Sequence, residues 1–182
     1  MKKISAALIC AALICAIGAC EKDDARNSDY TAKEIADAVM AAYGPESLPE
    51  SGFEYFYSGA DEESDNYIDD KYAGYLIDGG YSPLEEYGHF SDCALYIPVG
   101  QHMFEVGVLK VAPGDEKNIA VLKDVFERRL KTKANSDILA YTPGDAPIIE
   151  NAKVLTVGNY VILLATTDNA KAQKVIDDMT KQ

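Results

Sequence analysis

Acidic and aromatic side chains dominate the groups in this 182-residue chain that could do chemistry. Asp61, Glu63 and Asp65 stand at the one-three-five spacing of a calcium loop, and carboxylates are natural ligands of that hard cation. Asn66 occupies the place where such a loop wants glycine, and Tyr72 that of its bidentate glutamate. The trio therefore reads as a solvated acidic loop, with an irregular, low-affinity calcium site as the alternative. Tyr72, Tyr75, Tyr81 and Tyr87 interleave with acids. A tyrosine ring offers an apolar face and a polar tip, the combination used by carbohydrate- and peptide-binding surfaces. The competing reading is that these rings fasten an irregular insertion onto the sheet. Glu85, Glu86 and Asp92 are carboxylates that acid–base catalysis could use.

Nucleophilic catalysis would need an activated thiol or hydroxyl beside a base. Cys93 with His89 or His102 is the thiol option, but Cys93 falls on the apolar alternation of a strand, where cysteine behaves as a small hydrophobe. The two histidines lie thirteen positions apart without a His-Glu-x-x-His pattern, so no zinc site is expected. There is no Gly-x-Ser-x-Gly elbow and no Ser-x-x-Lys motif. Gly79-Gly80 lacks the lysine of a phosphate loop. No cofactor is expected.

The N-terminus supplies an address. Lys2 and Lys3 precede an apolar run from Ile4 to Ile17, followed by Gly18, Ala19 and Cys20. The run falls short of the roughly 20 apolar residues that a membrane-spanning helix needs and suits a signal peptide. Cysteine directly after two small residues resembles the lipobox of bacterial lipoproteins. That resemblance implies a signal peptide over residues 1–19, diacylglyceryl transfer to the Cys20 thiol with palmitate-type acyl chains, and cleavage before Cys20. Cys10 and Cys15 follow isoleucines and do not fit such a site. Two acyl chains would hold the chain stably on the extracytoplasmic face of the cell membrane. Cys93 would then be the one thiol left, so the fold must rest on its hydrophobic core rather than on disulfides.

The full chain carries a net charge of −13, and losing Lys2 and Lys3 leaves 15 basic against 30 acidic side chains. Such a surface repels nucleic acid, and no basic stripe offsets it. The expected partners are the membrane, through the lipid, and an envelope protein or glycan.

The elements that must position these residues follow from patterning. Residues 20–30 are polar and aperiodic and read as a flexible tether. Thr31 and Glu34 have capping-box spacing, and Ile35, Ala38, Val39 and Ala42 share a helical face that Gly44-Pro45 ends. From about residue 50 to 90 periodicity is lost, and seven of the twelve tyrosines gather in a Tyr-rich acidic insertion. Cys93–Ile97 and Met103–Val111 suggest one hairpin, and Lys153–Thr156 with Asn159–Ala165 a second around Gly158-Asn159. Between them Asp115 opens an amphipathic helix whose face is Ile119, Leu122, Val125, Phe126 and Leu130. Arg128, Arg129, Lys131 and Lys133 gather at its C-terminus, where cations favour the helix dipole. Pro147 argues against another helix soon after the Thr142–Asp145 turn. Ala172, Val175, Ile176 and Met179 predict a closing helix. The sum is one α+β domain over 31–182, with an antiparallel sheet of about four strands in two hairpins and helices mainly on one face.

Five stretches together resemble a family of small lipoproteins of Gram-positive, clostridia-like bacteria that carry a domain of unknown function. They are Ile35-Ala36-Asp37-Ala38-Val39, Ser91-Asp92-Cys93-Ala94-Leu95, Val121 to Leu130, Tyr141-Thr142-Pro143 and Val157-Gly158-Asn159-Tyr160-Val161. The resemblance brings no activity, cofactor or catalytic residue. The expectation is a lipid-anchored, non-enzymatic protein that binds a partner or ligand or assists the cell envelope. The alternative is an envelope enzyme with an unrecognised carboxylate-based site.

Overall fold

The computed structural model describes residues 30–78 and 89–180. A five-stranded antiparallel sheet in the order β1-β2-β3-β5-β4 forms its centre. The strands are β1 (Phe53–Tyr57), β2 (Asp92–Pro98), β3 (Glu105–Lys110), β4 (Lys153–Val157) and β5 (Tyr160–Ala165). Both expected hairpins are present, as β2–β3 and β4–β5. Gly158, with φ of 55°, is the first of the two loop residues in the second hairpin, the glycine placement that matches the twist of the flanking strands. The sheet has one strand more than expected. The extra strand, β1, comes from the aperiodic stretch: in Phe53-Glu54-Tyr55-Phe56-Tyr57 only Phe56 is buried, so no alternation marks it.

The α-helices among the described residues are α1 (Ala32–Ala41), α2 (Asp70–Asp78), α3 (Lys117–Ala134), α4 (Ile138–Tyr141), α5 (Ala146–Glu150) and α6 (Asn169–Thr180). They cover both faces of the sheet, which corrects the expectation that they pack mainly on one. On the first face Ile35, Ala36 and Val39 of α1, Ile148 of α5, and Ala172 and Ile176 of α6 meet Val106, Val108, Ile162 and Leu164. On the second, Leu122, Val125 and Phe126 of α3 and Ala73 and Ile77 of α2 meet Cys93, Leu95, Leu109, Val161 and Leu163. The reason lies in the strands. All six residues of β5 and five of the six in β3 are buried, and successive side chains point to opposite faces, so neither face tolerates water.

Local chemistry sets how closely the layers approach. A Cβ on Gly107 would stand 2.9 Å from Phe126 Cζ and 3.1 Å from Leu95 Cδ2; its absence lets the tip of the Phe126 ring of α3 reach the sheet centre. The capping box of α1 forms as expected, with Glu34 N donating to Thr31 Oγ1 at 3.1 Å and Thr31 N to Glu34 Oε2 at 2.7 Å. α3 begins one residue later than Asp115 would have it, with Glu116 as N-cap and no side-chain cap bond. Pro147 does not prevent a helix. It sits in the first turn of α5, where its missing N–H costs nothing.

Two ties fix where the chain enters. The Tyr30 carbonyl accepts from Lys110 Nζ at 2.7 Å and from the Tyr160 hydroxyl at 2.5 Å. The Asp92 carboxylate, at the start of β2, accepts from Ala32 N at 2.7 Å and Ser58 Oγ at 2.7 Å. A carboxylate at the N-terminus of α1 also complements the helix dipole.

Candidate functional site

Two of the four candidate tyrosines stand together on α2. Asp69 caps this helix, its Oδ1 accepting from Tyr72 N at 2.6 Å. Ile68, Ala73 and Ile77 turn inward and are buried, which leaves Tyr72 and Tyr75, one turn apart, on the outer side. Their rings lie 6.1 Å apart and within 13° of parallel. Tyr72 also meets Phe56 of β1 edge-on at 5.6 Å, which anchors the pair to the sheet. Tyr72 is 40% and Tyr75 54% exposed. Of the four exposed large apolar side chains among the described residues, these two stack on one another. With Asp69 and Lys71 they line a shallow recess of about 280 Å³. Tyr81, Tyr87, Glu85 and Glu86 lie outside the described residues, as do Cys20 and the whole N-terminal address.

A second group of tyrosines is spent on the fold. Tyr55 stacks on Tyr57 at 5.3 Å and on Tyr96 at 4.1 Å. The Lys33 ammonium lies 5.3 Å from the centroids of both Tyr55 and Tyr57, a cation–π placement. Lys33 is paired with Asp37, and Asp37 accepts from the Tyr96 hydroxyl at 2.8 Å. Burial, then the Asp37 charge, pushes the Tyr55 hydroxyl well above the usual tyrosine range.

Charges that sequence reasoning missed are buried beneath α2. Glu105 is fully buried at the start of β3. Both nitrogens of an Arg129 fork reach its carboxylate, Nη2 to Oε2 at 2.9 Å and Nε to Oε1. Lys133 Nζ reaches the same Oε2. Burial alone would raise the Glu105 carboxyl; the Arg129 and Lys133 charges outweigh it and bring it down to about 2. Burial lowers the Lys133 ammonium, against the pull of Glu105. Arg129 and Lys133, expected at the helix end for the sake of its dipole, point inward one turn apart. A lone glutamate between Phe104 and Val106 was the available signal, since a buried carboxylate demands a buried cation.

A groove opens at the sheet end where β3 starts and β5 stops. His102 Nδ1 lies 3.2 Å from Asp145 Oδ2, which also accepts from Met103 N at 2.9 Å. Asp145, Ile148 and Thr167 line two recesses there, of about 470 and 340 Å³. The polar groups around them largely satisfy each other. Thr166 Oγ1 donates to Asn169 Oδ1 at 2.7 Å, Asn169 Nδ2 donates to the Asn151 carbonyl at 2.6 Å, and Tyr43 donates to the Asp168 carbonyl at 2.7 Å.

The remaining candidates do not assemble. Cys93 is fully buried, and burial, with the Asp92 charge, pushes its thiol far above the reactive range. Its expected role in the core holds, and His102 pairs with Asp145 rather than with it. Asp92 is committed to Ala32, Ser58 and its neighbour Cys93 N. Asp61, Glu63 and Asp65 are exposed, and Asp61 Oδ1 accepts from Glu63 N at 3.1 Å as a turn would. Among the described residues no three His, Cys, Asp or Glu side chains converge as metal ligands. No helix among them is long and apolar enough to cross a membrane. No known protein family matches the chain, and no curated protein and no solved structure is similar to it.

Proposed function

We propose that this chain is a lipid-anchored extracytoplasmic protein, non-enzymatic, that binds an uncharged stretch of an envelope glycan through Tyr72 and Tyr75. The carrying observation is that these two rings are exposed, nearly parallel and stacked on each other beside Asp69 and Lys71. Sugar C–H faces pack on aromatic rings, and neighbouring carboxylates accept from sugar hydroxyls. The acidity of the chain supports an uncharged ligand, because an anionic polymer would be repelled. The lipid anchor rests on the resemblance of residues 17–20 to a lipobox, and the kinship with clostridia-like lipoproteins on the resemblance of the five stretches between Ile35 and Val161.

Titration of the detergent-solubilised chain with uncharged N-acetylhexosamine oligomers tests the ligand. Saturable binding lost in the Tyr72→Ser, Tyr75→Ser double variant supports the reading; no binding by the unaltered chain refutes it. Release of shortened sugar fragments would instead establish the alternative, an envelope enzyme. For the anchor, Cys20→Ala should free the chain from the membrane fraction or leave it unprocessed, and unchanged retention at mature mass would refute lipidation.

A further inference from the structure

The buried cluster under α2 sets two cations, Arg129 and Lys133, on one buried carboxylate, Glu105, with Asp145 acting on Lys133 without a direct contact. Lys133 alone would neutralise Glu105, and a surplus buried charge is costly unless something else receives it. The receiver is visible. Arg129 Nη1 donates to the Leu76 carbonyl at 2.8 Å and to the Ile77 carbonyl at 2.9 Å. These carbonyls belong to the last turn of α2, where unsatisfied oxygens gather and the helix dipole is negative. Arg129 is itself held by the Glu105 fork, so its guanidinium is a fixed strut from β3 through α3 to α2. At its other end α2 is held by the Asp69 cap, and Tyr72 and Tyr75 lie between the two fixtures.

We propose that Arg129 is a positioning residue for the tyrosine surface, setting the orientation of α2 in addition to pairing with Glu105. The assignment to a ligand surface rests on the function proposed above; the control of α2 does not. Arg129→Leu keeps the Glu105–Lys133 pair neutral, and Arg129→Lys keeps the charge while losing the fork.

Amide hydrogen exchange of the full chain reads the effect directly. In Arg129→Leu, amides Ala73 to Ile77 should exchange faster by on the order of tenfold or more, the loss of two charge-assisted hydrogen bonds, while β3 and β5 amides keep their protection. Arg129→Lys should restore part of the protection. Uniform acceleration through β3, β5 and α2 would overturn the proposal, because Arg129 would then serve the whole core; unchanged exchange in α2 would overturn it as well. If Arg129→Leu does not fold, Arg129→Lys is judged on the same contrast. Oligosaccharide affinity is measured alongside. A drop that follows α2 loosening supports the positioning of a ligand surface, and unchanged affinity with α2 loosened overturns that part. Absence of binding by the unaltered chain removes the glycan reading and leaves exchange to decide the control of α2.

Discussion

Tyrosine has two fates in this molecule. In the Tyr55–Tyr57–Tyr96 group each ring lies against another, a lysine covers two of them, and Asp37 accepts a hydrogen bond from the Tyr96 hydroxyl. In the α2 pair the rings stack on each other, Tyr72 alone also meets Phe56, and much of both remains in water. Composition is the same; the difference is whether the surrounding chain has covered the ring faces. Rings whose faces are covered stabilise the fold, and rings left open are available to a ligand.

The largest expected effect sets a yardstick for that contrast. Phe126 is fully buried against Gly107, and Phe126→Ala should cost about 3–5 kcal/mol in urea unfolding. A loss under about 1 kcal/mol would mean that this core relaxes freely, and ring removal elsewhere could not be read as packing.

Acid comes next. The folded Glu105 carboxyl titrates at about 2 against an ordinary 4.5. A depressed carboxylate contributes stability that is present above pH 4.5 and lost as pH falls toward 2. The loss should be about 2–3 kcal/mol, allowing for the coupling within the cluster. Glu105→Gln should flatten this part of the pH profile, and an unchanged profile would refute the assignment.

Tyr96→Ala then tests the closed group. It removes a 4.1 Å stack and the bond to Asp37, and should cost about 2–3 kcal/mol without altering oligosaccharide capture. The smallest stability change belongs to the open pair. Tyr72→Ser and Tyr75→Ser should each shift stability by less than about 1 kcal/mol while abolishing capture. Equal destabilisation by the two sets would erase the distinction and return α2 to a packing role.

Parts of this arrangement could be read in advance and parts could not, for identifiable reasons. The α1 capping box, the two hairpins and the inward face of α3 are local patterns, set by residues three or four apart. β1 and α2 are not. Asp-Lys-Tyr-Ala-Gly-Tyr-Leu-Ile-Asp carries a mid-helix glycine and two tyrosines, and Ala73 and Ile77 are the buried apolar side chains described within it, too few for a periodic signal. The cover on both faces was present in Tyr160–Ala165 as an unbroken apolar run. Read as half of a hairpin, that run suggested a one-sided sheet. For the site, residue type and density singled out Tyr72 and Tyr75. What the sequence could not show is that Arg129 turns inward, since that depends on a glutamate 24 positions earlier.

The Tyr30 carbonyl, clamped by Lys110 and Tyr160, gives the domain an up and a down. Those two residues mark the sheet end shared with Asp92; the His102–Asp145 groove lies at the opposite end, beside Glu105 and Ala165. Ten peptide steps separate Tyr30 from Cys20 and span at most roughly 35 Å. An anchor at Cys20 would then keep the clamp end of the domain within that reach of the bilayer. The groove, at the far end of the sheet, would stand a sheet length farther along the domain from the point of attachment.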